Sequence, residues 1–364
     1  MRTRREFIQG LAAAAFALSL DSTRLFAEGT AAIDDSVLTA DIEKQIAAGL
    51  IHGAVVAAGT SETILYSNAW GWAQGTAESP NRRAMTLESQ FDCASITKTQ
   101  TASAQAFLAA QGKLDPDAPF KKYLPDHTAK DCSITVRELA MHVGGFDPSN
   151  GFIGGGEAAF WKYLFGKQPV RSRGERFDYA CYNFILLGKI VEKVSGQRLD
   201  EFCRDKIFLP LGMTHSEWGP MATRPTTVQV IATKRIGDIS DFQAHAAPFP
   251  IGNAGLFSTV GDLSIFCQQM LKRQPFPKEY YDLLFRCGFE KDGARRSFGW
   301  DMCAHRRPIG LSDKTIFHSG WSGQTYWIDP VNDFFAVFLS NRFGDWEQAM
   351  QSRQRVGGIL RAMF

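Results

Sequence analysis

The stretch that most constrains this chain is residues 91–101, Phe-Asp-Cys-Ala-Ser-Ile-Thr-Lys-Thr-Gln-Thr. A short extended run, Gln90 to Cys93, meets an Ala-rich segment, Ser95 to Gln111, followed by Gly112. This reads as a helix with a glycine just past its end. Ser95 and Lys98 are three apart, so on a helix they share a face and the hydroxyl can meet the amine. The N–H groups and positive dipole end of the helix favour a developing oxyanion. An amine beside a hydroxyl in a poorly hydrated pocket is expected to lose its proton and act as general base. A serine three residues before a lysine arises by chance about once in a chain of this length. The extended-to-helix setting, where exposed nucleophiles are commonly held, is what singles this pair out.

Around that stretch the pattern changes from strands to helices and back. Ile33 to Leu50 has helical periodicity, and Gly53–Gly59 and Glu62–Trp70 read as strands joined by a tight turn. Gly71 to Glu88 reads as a polar connection. Helices are expected over 134–142, 157–165, 183–195, 259–271 and 277–287, with Thr259 and Asp262 resembling a capping box. The C-terminal part is β-rich over 297–303, 315–321, 324–329 and 334–340, then helical from Trp346 to Phe364. Strands at both ends with helices between predict an α+β chain: one mixed sheet split by a mainly helical insertion. The expected lobes are 28–125 with 290–364, and 126–289.

The first residues read as an export signal rather than part of the fold. Thr3-Arg4-Arg5-Glu6-Phe7-Ile8 has a twin-arginine pattern, and the apolar run Gly10–Leu20 is too short to span a bilayer comfortably. The expected signal is residues 1–27, with cleavage near Ala27 or Ala32, and it implies a periplasmic or secreted protein. Residues 1–27 carry four arginines and two acids, so the formal net charge of +2 falls to about zero without them. Nothing then argues for nucleic-acid binding. The seven cysteines (93, 132, 181, 203, 267, 287 and 303) have no metal-like C-x-x-C spacing, and the odd number leaves at least one thiol free.

Several ordered blocks carry a resemblance. They are residues 91–98, Ile-Thr-Val-Arg-Glu-Leu-Ala-Met-His (134–142), Phe-Asp-Tyr-Ala-Cys-Tyr-Asn-Phe-Ile-Leu-Leu-Gly (177–188), Pro-Leu-Gly-Met-Thr (210–214), Ala-Gly-Leu-Phe-Ser-Thr (254–259) and His-Ser-Gly-Trp-Ser-Gly (318–323). Together they resemble the serine β-lactamase-related family, which holds class C β-lactamases, D-alanyl-D-alanine carboxypeptidases and related esterases. The resemblance spans about 53–342. It implies a β-lactamase/transpeptidase-like fold, a mixed, mostly antiparallel sheet flanked by helices, and acyl transfer with no metal or organic cofactor. Tyr179 matches the tyrosine of the Y-x-N motif and would exchange protons with serine and leaving group. His318-Ser319-Gly320 matches the K-T-G or H-x-G strand that binds substrate by backbone pairing. The N–H groups of Ser95 and Trp321 would form the oxyanion hole.

Two positions depart from the family. Cys181 stands where Y-x-N has asparagine, removing an amide that would meet a substrate's acylamide. His318 stands where class C β-lactamases have lysine, replacing a permanent cation by a group expected to titrate near pH 6.5. The expected activity is therefore exported serine hydrolysis of a carboxylic ester or small amide. The alternatives are a D-alanyl-D-alanine carboxypeptidase or weak β-lactamase, and a non-catalytic binder of cell-wall peptide or β-lactam.

Overall fold

The computed structural model describes residues 33–149, 151, 155–220, 226–230, 234–342 and 346–364. The expected export segment, residues 1–27, lies outside the described residues. Helix α1 (Ser36–Ala47) leads into strands β1 (Ile51–Gly59), β2 (Ile64–Gln74), β3 (Arg83–Ala84) and β4 (Phe91–Asp92). Helix α2 (Thr97–Ala110) follows, then α3 (Val136–Ala140), α4 (Gly156–Phe165) and α5 (Cys181–Ser195). Short strands β5 (Glu217–Trp218), β6 (Gln229–Val230), β7 (Arg235–Ile236) and β8 (Leu256–Ser258) precede helices α6 (Val260–Lys272) and α7 (Lys278–Phe285). The chain then runs through β9 (Phe289–Lys291), β10 (Ala294–Ser297), β11 (Trp300–Asp301), β12 (Ile316–Ser319), β13 (Thr325–Asp329) and β14 (Phe334–Arg342), and on to α8 (Trp346–Ala362).

Nine strands form one sheet in the order β3-β2-β1-β14-β13-β12-β11-β10-β9. Each pairing in it is antiparallel. This is the mostly antiparallel sheet expected, and the parallel bridge Gln90 to Thr227 lies outside it. The two ends of the chain meet at its centre, where β1 and β14 pair Val55 with Leu339 and Ala57 with Val337. Both faces of these strands are covered, and successive side chains alternate between two cores. Val55, Ala57, Val337 and Leu339 enter the larger core, which also holds Ala102 and Phe107 of α2 and Phe266 of α6. Val56, Ala58, Ala336 and Phe338 enter a smaller core closed by Leu38 and Ile42 of α1 and Val356 and Leu360 of α8. So α8 packs on the side of the sheet opposite α2.

Two local readings change. The 71–88 segment is not all connection: β2 continues to Gln74 and pairs with β3 across an irregularity between Trp72 and Gln74. A half-buried edge strand needs little apolar sequence, which is why a polar run concealed it. At α6 only half of the capping box forms. Thr259 accepts from the Asp262 N–H, but the Asp262 carboxylate accepts instead from His215 N–H and Ser216 Oγ.

Candidate active site

The turn between β4 and α2 displays one side chain. Across residues 89–108, Ser95 alone is not buried. Ala94 has φ of +44°, a left-handed conformation that a non-glycine residue adopts at a cost. A short 3₁₀ turn, Ala94–Ile96, therefore precedes α2, where a continuous helix from Ser95 was expected. Buried Asp92 holds the turn, accepting from Ala94 N–H at 3.0 Å and Ser240 N–H at 2.9 Å. Thr97 Oγ1 donates to Ala94 O at 2.6 Å and accepts from Leu256 N–H at 3.0 Å.

Lys98, fully buried on α2, donates from Nζ to Ser95 Oγ and to the Asn253 carbonyl, both at 2.9 Å. Burial alone would lower its pKa. The facing Cys181 and Tyr179 more than offset this, and the amine is pushed up to about 12. This corrects the expectation of an amine that has lost its proton: resting Lys98 is an ammonium held by two acceptors.

Tyr179 lies just before α5, half-buried, with Lys98 Nζ 5.0 Å from its ring centroid. Burial raises the phenol; the Lys98 charge and hydrogen bonds to Lys98 and Ser95 act against that, and the net shift is upward. Its ring is backed by His142, 4.5 Å away between centroids. His142 is buried, and its Nδ1 accepts from Ala180 N–H at 3.2 Å. Burial, with Arg296 and Lys98 nearby, keeps this imidazole neutral. Cys181, the first residue of α5, is buried close enough to Lys98 and Tyr179 to influence both.

The other wall is β12. On one side it pairs with β13 through Ser319; on the other its pairing with β11 is Asp301 to Phe317, so the edge beyond Phe317 has no strand partner among the described residues. Ser319 Oγ bonds to Thr325 Oγ1 at 2.9 Å, so toward the cleft this residue offers backbone. A Cβ on Gly320 would lie 2.5 Å from Cys93 O, so only glycine lets the 320–321 turn close on the turn bearing Ser95. Ser322 Oγ ties the same turn to Asp92 O at 2.9 Å. The Trp321 side chain is 43% exposed.

His318 needs a correction. It is 4% exposed, and burial with nearby Arg296 and Lys98 pushes its pKa down to about 3, not near 6.5. Its Nδ1 bonds to Ser319 O at 3.1 Å; a carbonyl only accepts, so Nδ1 carries the proton and Nε2 is the acceptor.

The structure thus gathers Ser95, Lys98, Tyr179 and Cys181, with His318 and Ser319 on the facing strand and Gly320 and Trp321 in the turn that follows it. Sequence reasoning missed His142, Asn253, Asp92 and the buried arginines behind β12. His142 closes the quoted 134–142 block, and that was its one sequence signal.

Comparison with known proteins gives the family and the fold. The profile of the family described as beta-lactamase matches residues 38–357. A protein named provisionally as a D-alanyl-D-alanine carboxypeptidase from Escherichia coli (strain K12) is 29% identical over 333 residues, covering 77% of this chain and 76% of its own. One with the same name from Salmonella agona (strain SL483) is 27% identical over 332 residues, with the same coverage. The fold matches a class C beta lactamase from Rhodobacter sphaeroides, with TM-score 0.73 and 18% identity over 89% of this chain and 98% of that one. It also matches EstCE1, a hydrolase with promiscuous acyltransferase activity, with TM-score 0.74 and 19% identity over 91% and 99%.

Proposed function

The chain belongs to the beta-lactamase family, and on that premise we propose that it is an exported serine hydrolase that cleaves carboxylic esters or small amides through an acyl-enzyme on Ser95. The observation that carries this reading is the Ser95 hydroxyl, alone in being accessible in a buried stretch and 2.9 Å from the Lys98 ammonium. Ser95 Oγ attacks the carbonyl carbon. Its proton passes to Tyr179 Oη while the tyrosine proton goes to the leaving oxygen or nitrogen, so neither group needs to be ionised at rest. Lys98 stays charged and stabilises the oxygens as negative charge passes through them. The N–H groups of Ser95 and Trp321 hold the tetrahedral oxyanion. Water then attacks the ester intermediate and the relay runs in reverse.

Two features favour an ester or small amide. Neutral His318 offers no cation to a carboxylate, and Cys181 is a poor partner for an acylamide. The name of the Escherichia coli and Salmonella relatives favours a second reading, a D-alanyl-D-alanine carboxypeptidase. The Arg4-Arg5 pattern supports export by the twin-arginine route.

The test is kcat/KM of the purified protein for a p-nitrophenyl ester, nitrocefin and a D-Ala-D-Ala peptide. The ester should exceed nitrocefin by at least about tenfold, or roughly 1.4 kcal/mol of transition-state binding. Cys181→Asn should shift the ratio toward amides. Nitrocefin matching the ester would overturn the preference, and faster D-alanine release would establish the second reading.

A further inference from the structure

Behind the cleft, on the face of the sheet that α8 covers, lies a charge that needs an explanation. Arg353 of α8 is 2% exposed, yet no carboxylate among the described residues forms an ion pair with it. Burial, and then the neighbouring Arg342, lower its pKa to about 9, so it remains a cation at neutral pH. Burying a charge without a counter-ion is expensive, and removing it would ordinarily stabilise a fold. Its contacts show what it does instead. Nη2 donates to Gly320 O at 2.6 Å, Nη1 donates to Met350 Sδ at 3.5 Å, and the guanidinium lies 5.1 Å from the Trp346 ring centroid. Arg342 Nε takes the next carbonyl, Trp321 O, also at 2.6 Å. Two guanidiniums therefore grip two successive carbonyls of the turn facing Ser95.

The Gly320 carbonyl and the Trp321 N–H belong to one amide. In a trans amide the two groups point in opposite directions, so a cation seated on the oxygen both aims the N–H away from itself and strengthens it as a donor.

We propose that Arg353 is a positioning residue for acyl transfer, its buried guanidinium fixing and polarising the Gly320–Trp321 peptide so that the Trp321 N–H meets the oxyanion. This rests on the reading of Ser95 as nucleophile and of Trp321 N–H as oxyanion donor. It explains why a charged side chain occupies a place where a neutral donor would satisfy one carbonyl. A small pocket of about 20 Å³, lined in part by Arg342, Arg353, Ser340 and Ser352, adjoins the guanidinium, and truncating the side chain would open it to a small cation.

The test compares the full chain with Arg353→Met, Arg353→Lys and Arg353→Ala, and with Ser95→Ala as control. Removing an oxyanion donor outright costs a hundredfold or more, so weakening one should lower kcat for a p-nitrophenyl ester by about 10- to 100-fold, with KM changed by less than about threefold. Affinity for phenylboronic acid, whose serine adduct is tetrahedral, should fall in parallel. Arg353→Lys should keep most of the activity, and millimolar guanidinium should restore part of it to Arg353→Ala. Wild-type kcat in Arg353→Met would overturn the proposal. So would a fall in kcat with unchanged boronate affinity and no guanidinium rescue, which is what a loosened fold alone would give. If Arg353→Met does not fold, Arg353→Gln carries the test, since it keeps N–H donors and drops the charge; wild-type kcat there overturns the role assigned to the charge. Activity surviving in Ser95→Ala would mean that the nucleophile reading had failed, a result distinct from any arginine outcome.

Discussion

Lys98 reaches Ser95 across three residues of chain; Arg353 reaches Gly320 across thirty-three, from the opposite face of the sheet. The first wall of the cleft is made by local geometry: one turn, one helix face and a lysine brought to its serine by helical spacing. The second is made by tertiary packing, with a glycine pressed against Cys93 O and its peptide gripped from behind by α8. The difference assigns different work to the two walls. The nucleophile wall holds the groups that break and make bonds. The β12 wall holds a backbone donor whose value depends on its staying still.

The comparison makes unequal losses on the two sides its first expectation. Lys98→Ala, which removes the charge that stabilises the reacting oxygens, and Tyr179→Phe, which removes the proton relay, should each lower kcat for the ester by about 10²- to 10⁴-fold with little change in ground-state binding. Wild-type turnover in both would break the assignment of chemistry to that wall. Gly320→Ala puts a methyl against Cys93 O and should push the turn away from Ser95. The expected cost is about 10- to 100-fold in kcat, smaller because an N–H is displaced rather than lost. A Gly320→Ala protein with a native melting curve and full kcat would show that the wall tolerates movement.

The smallest effect concerns pH. His127, His142 and His318 are buried and neutral, with burial pushing His127 to about 4, His318 to about 3 and His142 well below its usual value. In the unfolded chain each titrates near 6.5. Below that pH the unfolded state takes up protons that the folded state refuses, so stability falls as pH drops from 6.5 toward 4. Each histidine contributes up to about 1.4 kcal/mol per pH unit. Denaturant midpoints at pH 7 and 5 measure this, and His318→Gln should reduce the difference by one histidine's share. The ester rate should show no inflection near 6.5 that depends on His318. An inflection there, abolished in His318→Gln, would mean that the β12 wall titrates.

What was legible in the sequence follows the same division. The Ser95–Lys98 pair, the following helix and the strand-rich ends declare themselves through short spacing and periodicity. The central pairing of β1 with β14 was implicit in two β-rich ends, but its register depends on packing between residues nearly three hundred positions apart. Arg353 gave no signal, because an arginine on an amphipathic C-terminal helix ordinarily faces solvent. The charge states of Lys98 and His318 were misread for one reason. Residue type sets an ordinary pKa, whereas burial and neighbours, which sequence does not rank, set the actual one.

The central claim is that Ser95 becomes acylated, and intact-mass analysis with peptide mapping after treatment with a fluorophosphonate tests it most directly. The account predicts one adduct per chain, on the peptide bearing Ser95, and none in Ser95→Ala, whose melting curve should stay native because only a hydroxyl is lost. Stoichiometric labelling of Ser95→Ala, or an adduct on another residue of the wild type, would contradict it.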